Sequence, residues 1–176
     1  ARILLKPFGS NPKYILLGLM LITSIFSMFM SNTATTAMML AILTPVLASF
    51  QPRDPGKIAF VLAIPFAANI GGIGTPIGTP PNAIALKYLV GNNAISFGHW
   101  MSFAVPYVAI LLLFTWFLLL KRFPFQTKTI EINIKGKFLK NWKAITVYVT
   151  YVVTIFCWLF DFLHGMKSYI VAMIPV

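Results

Sequence analysis

The sequence predicts an all-α integral membrane protein built from a re-entrant helical hairpin and a broken transmembrane helix. Of the 176 residues, 59% are hydrophobic and only 10% are charged, and a soluble domain of this size could not bury so much apolar surface. Long uncharged runs alternate with short basic gaps. Two of these runs are interrupted at their centres, one by polar residues and the other by glycine and proline.

The net charge of +11 reflects membrane topology and not nucleic-acid binding. The basic residues lie in the gaps between apolar runs and so do not form one patch on a soluble fold. We therefore expect a lipid bilayer as partner and no nucleic acid. The single cysteine, Cys157, lies in an apolar run and has no second cysteine for a disulfide or a metal site.

Residues 14–52 are predicted to form the hairpin. They carry no charge, and the polar triplet Ser31-Asn32-Thr33 divides them into two apolar arms. We expect two helices joined at this triplet, which forms the hairpin tip. The alternative is a tight turn between two full spans, because arms of about 17 residues nearly cross a bilayer core of about 30 Å.

Residues 58–90 are predicted to form one transmembrane helix that is broken in the middle. The stretch from Gly71 to Asn82 is dense in glycine and proline. Proline lacks a backbone N–H and glycine favours non-helical conformations, so this stretch cannot continue a helix. A simple kink is the alternative, but about twelve such residues exceed a kink. We expect Pro80 to begin a second half-helix.

Two later runs, residues 101–120 and 144–160, predict unbroken transmembrane helices. Trp142 and Trp158 flank the second run as interfacial anchors. Another run, 169–176, predicts the start of a further transmembrane helix. Both chain ends are expected to be cuts through a longer protein.

Lysine and arginine accumulate in short cytoplasmic loops, and this rule fixes the sides of the membrane. Basic residues flank the hairpin, in a lead-in at residues 1–13 and at Arg53 and Lys57. Residues 121–143 form a strongly basic arm, within which 129–135 alternates like a short strand or forms an irregular connector. We expect a multi-pass cell-membrane protein with the hairpin ends and the arm in the cytoplasm.

The two breaks predict a binding site. Irregular backbone at membrane depth survives only where protein, water or ligand satisfies its polar groups. In secondary transporters, half-helix N-termini face an anionic substrate and freed carbonyls coordinate sodium. The first break offers the Asn32 amide and the hydroxyls of Ser31 and Thr33, with Ser27 one turn earlier. The second offers threonine hydroxyls and glycine carbonyls.

Other polar residues in the apolar runs are less informative. Asp161 and His164 share an i, i+3 spacing that is able to bind a proton or a metal, but we expect them to be interfacial loop residues, like His99. A membrane-embedded enzyme should carry His, Asp, Glu or Cys within the membrane. The two breaks contain none of these residues, so we do not expect an enzyme.

Two segments resemble motifs of the divalent anion:sodium symporter family, which carries dicarboxylates, citrate or sulfate. Ser27 to Thr35 is similar to the family's first Ser-Asn-Thr hairpin tip, and Asn69 to Asn82 is similar to its first unwound loop. The match covers Asn11 to about Leu120. The resemblance implies the first half of an inverted-repeat, elevator-type transporter, with a homodimer as the complete protein.

The resemblance also implies site residues. The sodium ligands would be Ser27, Ser31, Asn32 and Gly78, with Gly74 as the alternative glycine carbonyl. The anion contacts would be Ser31, Asn32, Thr33 and Thr79. The family's second hairpin and second broken helix are absent from this sequence, so the chain is expected to hold about half of the site.

The predicted function is secondary active transport of a small divalent anion, driven by sodium. Succinate, malate, fumarate, citrate and sulfate all fit, because carboxylate and sulfate oxygens accept hydrogen bonds from similar donors. The sodium ion supplies positive charge that neither break contains. One alternative is a sodium-independent anion exchanger of the same fold, and another, from a different class, is a channel-like protein.

Overall fold

The computed structural model describes residues 6–91, 94–130, 141–166 and 168–174. Within these residues all regular structure is helical and no strand is found, which confirms the all-α class. A 3-10 turn at Lys6–Phe8 is followed by eight α-helices, α1 (Pro12–Ser27), α2 (Asn32–Leu47), α3 (Gly56–Gly72), α4 (Pro80–Leu86), α5 (Phe97–Arg122), α6 (Trp142–Leu159), α7 (Asp161–His164) and α8 (Ser168–Val171).

Helices α1 and α2 correspond to the two expected arms, but the connection between them lies earlier than predicted. Residues 28–31 join the helices, and α2 already begins at Asn32. The cause is local capping, because Ser31 has extended backbone and its Oγ accepts a hydrogen bond from Ala34 N at 3.2 Å. The last two residues of the polar triplet therefore lie in the first turn of α2.

Helix α3 lies at the centre of the fold and packs along both arms. Its contact with α1 is the most extensive in the molecule, and the two arms contact each other less. The close approach depends on small residues, since a Cβ added to Gly71 would lie 2.5 Å from the backbone of Ser24. Ala59, Ala63 and Ala67 are also fully buried on α3.

The break between α3 and α4 is shorter than the glycine- and proline-rich stretch predicted. It covers residues 73–79, because Gly71 and Gly72 remain helical. Thr79 is the N-cap of α4 in extended conformation, and the helix begins at Pro80, where the missing N–H of proline costs nothing. Asn82 lies in the first turn, as expected.

Helices α5 and α6 are long and apolar enough to cross a membrane. Helix α5 extends beyond the predicted 101–120 at both ends, whereas α6 nearly matches 144–160. Large apolar side chains point outward from both helices, with Ile110 and Val147 each 64% exposed. Such surfaces suit a lipid environment and not the interior of a soluble protein.

The two tryptophans of α6 have different roles. Trp142 is 73% exposed, as expected of an interfacial anchor. The same expectation for Trp158 is wrong, because it is 7% exposed. Its ring stacks on Phe97 with centroids 5.8 Å apart and on Phe29 at 6.2 Å. These contacts join α6 to the start of α5 and to the hairpin tip.

Asp161 and His164 lie in α7 and bind separate groups. Asp161 Oδ2 accepts a hydrogen bond from Phe97 N at 2.8 Å, at the start of α5. His164 Nε2 lies 2.7 Å from the carbonyl oxygen of Cys157. In the described part of the chain, no group of three His, Cys, Asp or Glu side chains could hold a metal ion.

At the opposite end of the hairpin, the loop between α2 and α3 contains a buried carboxylate. Asp54 Oδ1 accepts hydrogen bonds from Gly56 N at 2.8 Å and Gln126 N at 3.3 Å. Its Oδ2 accepts from Thr127 N at 2.7 Å and Thr127 Oγ1 at 2.5 Å. Burial alone would raise the pKa of Asp54, but these hydrogen bonds outweigh it and leave the pKa below its ordinary value.

Several predicted segments fall partly on residues outside the described ranges. They are the start of the lead-in 1–13, most of the possible strand 129–135, the middle of the basic arm 121–143, and the end of the run 169–176. In the described part of this last run, α8 is followed by a turn at residues 172–174.

Candidate binding site

A chain of side-chain hydrogen bonds joins the hairpin tip to α3. Ser27, the last residue of α1, donates from Oγ to Asn32 Oδ1 at 2.7 Å. Asn32 in turn donates from Nδ2 to Asn69 Oδ1 at 3.1 Å. Three helices are thus connected by three polar side chains, and Asn32 is the central one.

The second break approaches the same asparagine through Gly72, the last residue of α3. A Cβ added to Gly72 would lie 2.6 Å from Asn32 Oδ1 and 3.2 Å from the carbonyl oxygen of Gly78. A Cβ added to Gly78 would collide with the carbonyl oxygen of Gly72. Glycine is required at Gly78 because the obstructing group is backbone, which cannot rotate away, whereas a side chain at Gly72 would displace the Asn32 amide. A Cβ added to Gly74 would instead lie 2.7 Å from Cε of the Met28 side chain.

Three side-chain donors hold the irregular loop 73–79 in shape. Asn82 Nδ2 donates to the carbonyl oxygens of Gly72 at 2.9 Å and Thr75 at 2.8 Å. Trp100 Nε1 donates to the carbonyl oxygen of Ile73 at 3.0 Å. Thr75 Oγ1 donates to the carbonyl oxygen of Met28 in the hairpin connection. The carbonyls of Gly72, Ile73 and Thr75 are therefore bound by protein, as irregular backbone at membrane depth requires.

A cleft of about 370 Å³ opens beside the first turns of α2. Its lining is neutral and partly polar, and comprises Asn32, Thr33, Thr36, Ala37, Leu40 and Asn69. Four of these six residues carry hydroxyl or amide groups that can bind an oxyanion. The positive end of α2, whose first turn forms one wall, adds favourable potential for an anion.

The structure brings some of the predicted site residues together and separates others. Ser27, Asn32 and Gly78 lie around the contact between the two breaks. Thr33 lines the cleft beside Asn32. Thr79 lies half-buried at the start of α4, where its hydroxyl makes no capping bond, and it is not among the residues that line the cleft.

Sequence reasoning gave no role to Asn69 and Thr36 and did not foresee the hydrogen bonds of Asn82. One signal was available, because Asn69 is the polar residue in a helix that is otherwise apolar from Ile58 onward. A polar side chain in a membrane helix is costly and is usually functional. For Thr36 no comparable signal exists, since threonine occurs at many neutral positions of membrane helices.

Comparison with known proteins then decides the family. The sequence profile of the citrate transporter family matches residues 1–175. The chain belongs to the citrate transporter family. The resemblance to divalent anion:sodium symporters is thereby confirmed, and the relatives that the chain matches are transporters.

Three relatives illustrate the range of this similarity. The chain is 31% identical over 184 residues to sodium-dependent high-affinity dicarboxylate transporter 3 of Caenorhabditis elegans, covering 89% of this chain and 32% of that protein. It is 34% identical over 153 residues to the low-affinity phosphate transporter PHO90 of Saccharomyces cerevisiae, covering 85% and 17%. It is 38% identical over 126 residues to the sodium-dependent dicarboxylate transporter SdcS of Staphylococcus saprophyticus, covering 64% and 24%. The chain therefore spans about a third or less of each relative.

Proposed function

We propose that this chain carries the first half of the binding centre of a sodium-coupled carrier for a small divalent anion. The observation that carries the proposal is the position of Asn32, whose side chain accepts a hydrogen bond from Ser27 in the hairpin and lies against Gly72, the residue that contacts Gly78 in the second break. Two of the relatives named above are sodium-dependent dicarboxylate transporters. Their names support a dicarboxylate as substrate and sodium as the coupling ion.

In this proposal sodium binds where the two breaks meet. Its ligands are the side-chain oxygens of Ser27, Ser31 and Asn32 and the carbonyl oxygen of Gly78. An all-oxygen set suits a hard cation. The contact of Gly78 with Gly72, which itself touches Asn32, favours Gly78 over Gly74, whose neighbour is the apolar side chain of Met28.

The anion binds beside the sodium ion, in contact with Ser31, Asn32, Thr33 and Thr79. Donors are supplied by hydroxyl and amide groups and by the first turn of α2. Among the described residues, those that line the cleft carry no charged side chain. Positive charge must then come from the bound cation, which gives a physical reason for coupling anion binding to sodium.

The membrane arrangement follows from helix length and charge. Each arm of the hairpin has 16 residues, which gives about 24 Å at 1.5 Å per residue, less than a core of about 30 Å. We therefore propose a re-entrant hairpin with both ends in the cytoplasm, together with the basic arm. The complete protein is proposed to be a multi-pass homodimer in which α1 to α5 move as part of an elevator-type transport unit.

The test uses the full-length parent protein in proteoliposomes. Uptake of labelled succinate is measured with and without a sodium gradient, with citrate, sulfate and phosphate as competitors, and with Asn32→Ala in parallel. We expect sodium to drive uptake and Asn32→Ala to abolish it. Phosphate is included because PHO90 is a phosphate transporter, and phosphate as the preferred competitor would change the proposed substrate.

Other outcomes separate the alternatives. Uptake that needs Asn32 but ignores sodium would favour an anion exchanger of the same fold. Uptake that continues linearly with concentration, without saturation, would favour a channel. Normal transport by Asn32→Ala would mean that the hairpin tip is only a turn, and the proposed site would be wrong.

A further inference from the structure

We infer that Asn69 is a further anion-binding residue and that it links the anion to the sodium site through Asn32. The inference rests on the proposed function and adds a residue that the family resemblance did not supply. It also explains why a polar side chain occupies the last turn of helix α3, which from Ile58 onward is apolar apart from this residue.

The Asn69 amide is placed to donate a hydrogen bond to a ligand in the cleft. Asn69 is exposed and lines the cleft together with Thr33 and Thr36. Its Oδ1 accepts the hydrogen bond from Asn32 Nδ2. Its Nδ2 has two hydrogens, and among the described residues no group accepts a bond from either of them. An unused amide donor at the wall of a neutral cleft is suited to an oxyanion oxygen.

The hydrogen bonds run in one direction, from Ser27 to Asn32 and from Asn32 to Asn69. The Ser27 hydroxyl has one hydrogen, which it donates to Asn32 Oδ1. This bond directs Asn32 Nδ2 towards Asn69 and keeps the acceptor oxygen of Asn69 on that side. The Nδ2 group of Asn69, which is the donor side of its amide, then faces the cleft. The orientation of one amide therefore fixes the orientation of the next.

The same hydrogen bonds couple anion binding to sodium binding. A cation at Asn32 Oδ1 polarises the Asn32 amide and makes its N–H groups stronger donors to Asn69. Hydrogen bonds in a chain strengthen one another, so the Asn69 N–H groups become stronger donors as well. Sodium and the anion thus favour the same arrangement of two asparagines. By reciprocity, the anion must also tighten sodium binding.

The charge-changing variant Asn69→Asp separates the two functions of this residue. Aspartate keeps an acceptor for Asn32 Nδ2, but it has no donor for the anion and adds a negative charge to the cleft. We expect the KM for succinate to rise by about tenfold or more. The stabilisation of the purified parent protein by sodium alone, measured by thermal unfolding without anion, should be preserved.

The second variant, Asn69→Ala, removes both groups. It should raise KM and also weaken the thermal stabilisation by sodium, because Asn32 loses its acceptor. Thr44→Val is the matched control, since Thr44 lies exposed on α2 and its hydroxyl bonds only to the carbonyl oxygen of Leu40 among the described groups. Its KM should stay within about twofold of the wild type.

The outcomes are distinct. If the parent transports and Asn69→Asp has a normal KM, the Asn69 inference is wrong while the proposed function stands. If Asn69→Asp and Asn69→Ala lose sodium stabilisation equally, Asn69 has only a structural role and the inference is again wrong. If the wild-type parent takes up none of succinate, citrate, sulfate and phosphate, the proposed function itself fails, and the inference with it.

Discussion

Each end of the hairpin contains a polar centre. The two centres differ in how many of their donor and acceptor positions are occupied by hydrogen bonds. At the base, the Asp54 carboxylate is 3% exposed and accepts four hydrogen bonds, one for each of its lone-pair positions. At the tip, the amides of Asn32 and Asn69 have donors left over and border an open cleft. A polar group with no remaining capacity holds the fold together, whereas one with spare capacity can bind a ligand.

The two polar centres also differ in charge. The base carries a formal negative charge, which is stabilised at the N-terminus of α3 by the N–H of Gly56. The described side chains at the tip are neutral, so the tip can accept a cation and an anion without first displacing an ion pair. If this contrast is correct, changes at the tip should affect transport, and changes at the base should affect stability.

The largest effect is expected for Gly78→Ala. The added Cβ meets the backbone of Gly72, and such overpacking costs about 1–3 kcal/mol. Because it also displaces a proposed sodium ligand, uptake should fall by about 30-fold or more. Gly98→Ala in α5 is the matched control, since its Cβ would meet only the Leu159 carbonyl oxygen at 3.8 Å. Equal uptake by both variants would refute the close contact between the two breaks.

A smaller effect is expected for Asn82→Ala, which removes the bonds to the carbonyls of Gly72, at the end of α3, and Thr75, in the loop. Each lost bond to a buried carbonyl costs about 1 kcal/mol, so the loop should lose its fixed shape. We expect the sodium concentration for half-maximal uptake to rise by about tenfold. The maximal rate at saturating sodium should change much less. An unchanged sodium dependence would show that loop shape does not control the cation site.

At the base, Asp54→Ala leaves several donors without their acceptor and should destabilise the protein by about 2–4 kcal/mol. Thr127→Val removes only the hydroxyl, which donates to Asp54 and accepts from Gln51 N, and should cost about 1–2 kcal/mol. Thermal unfolding of the parent protein measures both changes. The KM for succinate should remain that of the wild type in each folded variant. A shifted KM would mean that changes at the base alter substrate binding at the tip, and the division of roles between the two centres would be wrong.

The smallest effect is expected from pH. The pKa of Asp54 lies below its ordinary value of 3.8 in the folded protein, so its contribution to stability is present above 3.8 and is lost as the pH falls through the folded pKa. Between about pH 5 and pH 3, the Tm of the wild type should therefore fall more steeply than that of Asp54→Asn. Parallel pH profiles would contradict the role assigned to this carboxylate.

Much of the fold follows from run length and from helix-breaking residues. The start of α4 at Pro80 and the two long helices α5 and α6 all correspond to features visible in the chain. The hairpin boundaries were less accurate, because the polar triplet was assigned to the turn. One side-chain cap, at Ser31, moved the start of α2 to Asn32. Capping depends on local backbone angles that a hydropathy pattern does not contain.

The sequence by itself determined the helical membrane class, the two breaks and the family motifs, because each depends on residue type and spacing along one segment. Only the tertiary structure decided which of these residues meet. Asn69 reaches Asn32 across 37 positions, and Thr127 reaches Asp54 across 73. Such contacts depend on how α1, α2 and α5 pack around α3, and a linear pattern carries no information on that packing.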